Sequence, residues 1–125
     1  VVDLPNKRVL DLFCGAGGFS KGFEMAGYTK GIGIDYEKTV QETFEQNHPG
    51  YEFILADLYS LNPYDYDYDC DIIIGSPPCK KFSVASKTPN PEEGMELVNV
   101  FLQWIDAQKP EKWLMENVEQ VVKHI

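Results

Sequence analysis

Short apolar runs alternate with amphipathic stretches along this chain, the pattern of repeated strand–helix units on a parallel sheet. The runs predict strands over 8–13, 31–34, 51–55, 71–75 and 113–115. Asp71-Ile72-Ile73-Ile74-Gly75 is built on three successive β-branched residues and reads as a strand buried on both faces. Helices are predicted over 19–26, ended by Gly27, and over 37–47, stopped by His48-Pro49-Gly50. Two more are predicted over 93–107, with Met95, Val98, Leu102 and Ile105 on one face, and over 118–124. The fold class is therefore α/β, with a mostly parallel sheet of about five strand–helix units.

Two stretches break the pattern, and there are no internal repeats. Tyr64 to Asp71 alternates Tyr or Cys with Asp, which could mean a strand, but the carboxylates favour a solvated approach to the fourth strand. Residues 76–91 hold four prolines between a buried strand and a helix. That is long for a strand-to-helix connection, usually about 2–6 residues, and such loops are often functional. The pattern stops in mid-course at Ile125, leaving the last strand as an apolar sheet edge. The expectation is part of something longer, or one subunit of a split enzyme.

Composition narrows the classes. The 125 residues suit one domain, and 20 Asp plus Glu against 11 Lys plus Arg give a net charge of -9. That balance argues against a small nucleic-acid-binding module, which usually carries a basic surface. No apolar run approaches the roughly 18 residues of a membrane span, and residues 1–8 lack the pattern of a secretory signal. Cys14, Cys70 and Cys79 show neither metal-type spacing nor a disulfide framework, so an acidic intracellular domain without a metal is expected.

Candidate chemistry begins at Asp11-Leu12-Phe13-Cys14-Gly15-Ala16-Gly17-Gly18-Phe19, between the first strand and its helix. Glycines there let the backbone turn sharply and approach a ligand beside a helix N-terminus. Ser20 occupies the third glycine position of G-x-G-x-x-G, and no Gly-Lys-Ser/Thr follows. A nucleoside without a pyrophosphate fits such a turn; a plain connection is the alternative. Asp35, at the end of the second strand, is placed to accept from ribose hydroxyls, and Tyr36 to lie against an adenine. Asp57, after the third strand, is placed to accept from an exocyclic amine; taken singly, each acid could equally be a helix cap or a solvated loop residue.

After the fourth strand, Gly75-Ser76-Pro77-Pro78-Cys79-Lys80-Lys81-Phe82-Ser83 delivers a cysteine at the carboxyl end of the sheet. Cys14 and Cys70 read as small buried hydrophobes, whereas Cys79 has lysines beside it, which raise the thiolate fraction. Lys80, Lys81 and Lys87 stand between Asp71 and Glu92 with no acid among them, a local charge suited to a phosphate backbone.

The segments DLFCGAGGFS (11–20), GSPPCKKFS (75–83) and MENV (115–118) resemble, in order and spacing, the first, fourth and sixth motifs of the DNA (cytosine-5)-methyltransferases. The similarity spans nearly the whole chain. It implies a Rossmann-like S-adenosylmethionine-dependent methyltransferase fold, with residues 1–125 as the N-terminal part of the catalytic domain. It implies that Cys79 is the catalytic nucleophile toward carbon 6 of a flipped cytosine and that Glu116 stabilises charge at the N3 edge. Phe13, Gly15, Gly17 and Gly18 would shape the cofactor turn, Asp35 take the ribose, Tyr36 and Leu97 flank the site, and Asp57 with Leu58 meet the adenine. Pro78 would line the boundary between the two ligands, Asn117 support the loop, and Lys80, Lys81 and Ser83 lie on its DNA side.

The implied partners are S-adenosylmethionine, DNA and a complementary C-terminal subunit or segment. The implied setting is an intracellular, cytoplasmic enzyme of DNA methylation or restriction-modification, nucleoid-associated in a prokaryote. Lys80 stands where many members have Gln, and the later Arg-x-Arg motif, the target-recognition region and the terminal helix are absent from these residues. Three other readings are weighed. An amino-methyltransferase needs an aromatic ring after its Pro-Pro, where this chain has Cys79. A tRNA cytosine-5 methylase would share the chemistry. A non-catalytic cofactor-binding or regulatory fragment would have no use for Cys79.

Overall fold

The computed structural model describes residues 7–77 and 91–116, with main chain alone over 91–95. Among the described residues five strands and three α-helices follow in the order β1 (Arg8–Leu12), α1 (Gly18–Met25), β2 (Lys30–Asp35), α2 (Lys38–Asn47), β3 (Tyr51–Leu55), β4 (Ile72–Gly75), α3 (Pro91–Gln108) and β5 (Lys112–Met115). The strands form one parallel sheet in the order β3-β2-β1-β4-β5. The predicted strands and first three helices are recovered with ends displaced by a few residues at most; the predicted helix over 118–124 lies outside the described residues.

Side chains alternate across each strand and divide the core into two layers. Leu10, Leu12, Ile32, Ile34 and Ile73 pack with Phe101 and Trp104 of α3. Val9, Ile72 and Ile74 pack with Phe44 of α2, and Phe19 and Phe23 of α1 join that face. All three isoleucines of β4 are buried, as its β-branched run predicts.

In α3 the buried stripe is Val98, Phe101 and Trp104, whereas Leu102 is 43% exposed. The predicted face, drawn through Leu102, is therefore rotated from the true one. Burying two large aromatic rings outweighs burying one leucine, because apolar stabilisation scales with area.

Residues 64–71 contain no strand. Pro63–Asp65 forms a short 3-10 turn, after which Tyr66 and Tyr68 stack on Trp104. The Gln108 amide donates to the carbonyls of Pro63 and Tyr66 (3.0 and 2.7 Å) and accepts from the Tyr68 N–H at 3.0 Å. The tyrosines thus face a ring while Asp65, Asp67 and Asp69 face solvent.

Register fixes where the site stands. Leu12 pairs with Ile34 and Gly75, Asp35 with Leu55, and Gly75 with Met115. All five strands therefore end together. Sheet order reverses between β1 and β4, which opens the crevice where ligands of such sheets bind.

Candidate active site

The turn after β1 is a left-handed backbone held by short contacts, strained only at Phe13. Phe13 (φ 57°), Gly15 (φ 54°) and Gly17 (φ 93°) are left-handed. The Cys14 N–H donates to Ile34 O at 3.1 Å and the Gly17 N–H to Cys14 O at 3.0 Å. The glycines have two different jobs. A Cβ on Gly15 or Gly18 would meet nothing within 4 Å among the described residues, so their backbone faces open space. A Cβ on Gly17 would overlap the His48 and Phe44 rings.

Asp35 binds this turn to the end of β2. It is 9% exposed and accepts from the Gly15 N–H (2.8 Å) and, through its other oxygen, from the Glu37 N–H (2.9 Å). An ionised carboxylate accepts about four hydrogen bonds, so each oxygen retains capacity for a ligand hydroxyl. Next to it Tyr36 is 63% exposed, and a hydrogen bond to Glu37 holds its phenol above the usual range.

After β3, Asp57 is exposed and accepts from the Tyr59 N–H at 3.0 Å. Leu58 turns into the core, so its side chain packs and only its main chain is left for a ligand. The Tyr59 hydroxyl donates to Glu96 of α3 at 3.5 Å, and Leu97, the next residue of that helix, is half-buried.

On the other side of the crevice the ends of β4 and β5 are joined. The Glu116 N–H donates to Gly75 O at 3.0 Å, and the Ser76 hydroxyl donates to a Glu116 carboxylate oxygen at 3.2 Å. The start of the Pro-Pro-Cys loop and the acid of the Glu-Asn-Val motif, 40 residues apart, are thus in contact. Pro78, Cys79, Lys80, Lys81, Ser83 and Asn117 lie outside the described residues.

The two described cysteines are buried, which disfavours their thiolates. Burial pushes the Cys70 thiol up to about 12, and burial with Asp11 and Asp35 nearby pushes Cys14 up further. Among the described residues no group of three or more His, Cys, Asp or Glu is arranged to hold a metal.

Two residues close to the turn escaped the sequence reading. His48 was visible only as part of a helix stop. Asp11, an acid inside an apolar strand, was the available signal for the other. Asp11 is 1% exposed and accepts from the Ser20 hydroxyl at 2.6 Å, while its second oxygen has no partner among the described residues. The contact ties the first turn of α1 to β1, and Gly17 at the N-cap has no side chain to do so.

Burial raises the Asp11 carboxyl from 3.8 to about 7, against the lowering effect of its Ser20 contacts. The folded state therefore binds more protons than the unfolded state between those values, and stability falls as pH rises through that window. Asp11→Asn, which mimics the neutral acid, should remove this slope. Relative to the variant, the wild type should lose roughly 2–4 kcal/mol from pH 4 to 7. Urea midpoints of the two proteins at both pH values check this; parallel profiles would refute it.

The C-5 cytosine-specific DNA methylase family model matches residues 7–125. The chain is 35% identical over 114 residues to the type II methyltransferase M.DdeI of Desulfomicrobium norvegicum, covering 89% of this chain and 28% of that protein. It is 36% identical over 118 residues to M.HgiGI of Herpetosiphon aurantiacus, covering 90% of this chain and 91% of that one. A crystal structure described as a DNA modification methyltransferase encoded within an E. coli prophage superimposes with a TM-score of 0.74 at 28% identity, covering 92% of this chain and 33% of that one. The chain spans from 28% to 33% of the length of M.DdeI and several further curated relatives. On the match over 7–125 and the likeness to M.HgiGI, the chain belongs to the C-5 cytosine-specific DNA methylase family.

Proposed function

We propose that this chain is the cofactor-binding and nucleophile-bearing portion of an enzyme that methylates carbon 5 of cytosine in DNA. The observation that carries the reading is the single carboxyl edge at which the glycine turn, Asp35, Ser76 and Glu116 converge. Three motifs scattered over 100 residues of sequence serve one crevice there.

The residues present fit S-adenosylmethionine by the chemistry of their groups. Asp35 offers acceptors for ribose hydroxyls, and the exposed Tyr36 ring offers a face for adenine. Asp57 offers an acceptor for an amine, and the open backbone at Gly15 and Gly18 lets a ligand approach the start of α1. When bound, S-adenosylmethionine supplies an electrophilic methyl group on a sulfonium sulfur.

Carbon 5 of cytosine is too weak a nucleophile to accept that methyl unaided. The Cys79 thiolate adds to carbon 6, forming a C–S bond and moving an electron pair toward carbon 5 and the N3 edge. Glu116, as the neutral carboxylic acid, donates a hydrogen bond to N3 and so stabilises the negative charge that develops there. After carbon 5 is methylated a solvent base takes its proton, the freed electron pair restores the 5,6 double bond, the C–S bond breaks and the thiolate leaves. The base must leave the duplex to reach such a site, and Lys80 and Lys81 suit the phosphates flanking it.

Target choice is assigned to a segment or subunit that complements this chain. The half-exposed Trp113 and Leu114 on β5 support that assignment, because an apolar sheet edge needs cover. No helix among the described residues is long and apolar enough to cross a membrane, and an intracellular, DNA-associated setting follows from the proposed substrate.

Asp35→Ala tests the cofactor assignment. Loss of charged hydrogen bonds worth about 1.5–3 kcal/mol should weaken S-adenosylmethionine binding by roughly tenfold to a hundredfold in calorimetric titration. An unchanged affinity in the folded variant refutes the ribose role of Asp35.

A further inference from the structure

His48 is 1% exposed, although it stands at the end of a surface helix and is followed by an exposed Pro-Gly. Its main chain is fixed on both sides: its N–H donates to Phe44 O at 2.9 Å, and its carbonyl accepts from the Tyr51 N–H at 2.9 Å. Its ring packs against Phe44 (centroids 4.7 Å apart) and Tyr51 (5.6 Å).

Two contacts have no bearing on ending a helix. The ring fills the space beneath Gly17, where any Cβ would overlap Nε2 and Cδ2. Nδ1 lies 3.4 Å from an oxygen of Glu24 near the end of α1. A carboxylate can only accept, so a ring with its proton on Nδ1 is the one that pairs with Glu24, and Nε2 is turned to Gly17. The other Glu24 oxygen is held by Lys21 at 3.1 Å. One ring therefore touches the glycine turn, α1 and the α2–β3 junction. A phenyl ring would fill the same volume without the cost of burying a polar group, so core packing alone does not call for histidine here.

We infer that His48 is a positioning residue for cofactor binding: its ring, oriented by Glu24, props Gly17 and sets where the open backbone of Gly15 and Gly18 stands. The inference rests on the proposed S-adenosylmethionine site and deepens it. Strain at Phe13 makes the turn dependent on such support, because a left-handed backbone at a residue other than glycine persists only where its surroundings hold it.

The test uses the full-length protein. Calorimetry gives the S-adenosylmethionine Kd of the wild type, His48→Ala, Glu24→Ala and Glu24→Gln, and steady-state kinetics give KM for cofactor and DNA separately. His48→Ala should raise the cofactor Kd and KM by on the order of tenfold to a hundredfold. KM for DNA should not move, and kcat should fall by less than the cofactor KM rises. Added imidazole should recover part of the lost affinity. Glu24→Ala, which leaves the core intact, should raise the Kd by about threefold, and Glu24→Gln by less.

A folded His48→Ala and a Glu24→Ala that both bind cofactor as the wild type does would overturn the inference while leaving the cofactor site standing. A loss of kcat with KM unmoved and no imidazole recovery would reduce His48 to packing and overturn it equally. A wild type that binds no S-adenosylmethionine would overturn the functional reading, and this inference with it.

Discussion

Cys79→Ala is expected to abolish methyl transfer in the full-length protein while leaving S-adenosylmethionine affinity within about twofold. Loss of a catalytic nucleophile typically costs on the order of 10⁴–10⁶ in rate, because the residual sites can bind substrate but cannot activate it. No other cysteine can stand in. Cys14 and Cys70 are buried, and burial pushes both thiols up, away from the reactive thiolate. An oligonucleotide carrying 5-fluorocytosine should trap the wild type as a band resistant to denaturation, since fluorine cannot leave as the proton does. Cys79→Ala should give no such band. A variant that still transfers methyl to carbon 5, or a wild type that is active yet forms no adduct, would sink the covalent mechanism. Product analysis separates the amino-methyltransferase alternative, whose methyl would sit on nitrogen.

How far the sequence exposes this site depends on the range of each interaction. β4 was legible because three isoleucines in succession need burial on both faces. The carboxylates at 64–71 correctly favour a solvated approach over a strand, but what holds it is distant in sequence: Gln108, some 40 residues on, bonds the main chain there. The α3 stripe was misplaced because spacing alone does not weigh Trp104 against Leu102. Asp35 and Glu116 were legible as acids at strand ends. That Glu116 meets Ser76 follows only from the parallel pairing of β4 with β5, which carries Gly75 to Met115. The clamp of Asp11 on Ser20 and the His48 ring beneath Gly17 depend on how helices seat on the sheet, and no local pattern encodes that.

The split roles of the glycines lead to the second large effect. Gly17→Ala should cost about 2–6 kcal/mol of stability, combining left-handed strain with overpacking against buried rings. A domain is typically stable by only about 5–15 kcal/mol, so this one methyl group removes much of the margin. Neither ring can yield easily, since His48 is fixed through its main chain and Glu24, and Phe44 is fully buried in the α2 layer. Gly15→Ala makes the contrast. At φ 54° its Cβ meets nothing within 4 Å among the described residues, so only the left-handed penalty of about 1–2 kcal/mol should appear. That Cβ nevertheless projects where the cofactor is proposed to approach, so Gly15→Ala should lose S-adenosylmethionine affinity while remaining folded. Urea denaturation and calorimetric titration of the two variants read the two axes separately. Equal stability losses would mean that His48 and Phe44 move aside, and that the turn is softer than its contacts imply. A Gly15→Ala variant with wild-type affinity would move the cofactor off this face of the turn, whatever Gly17 does.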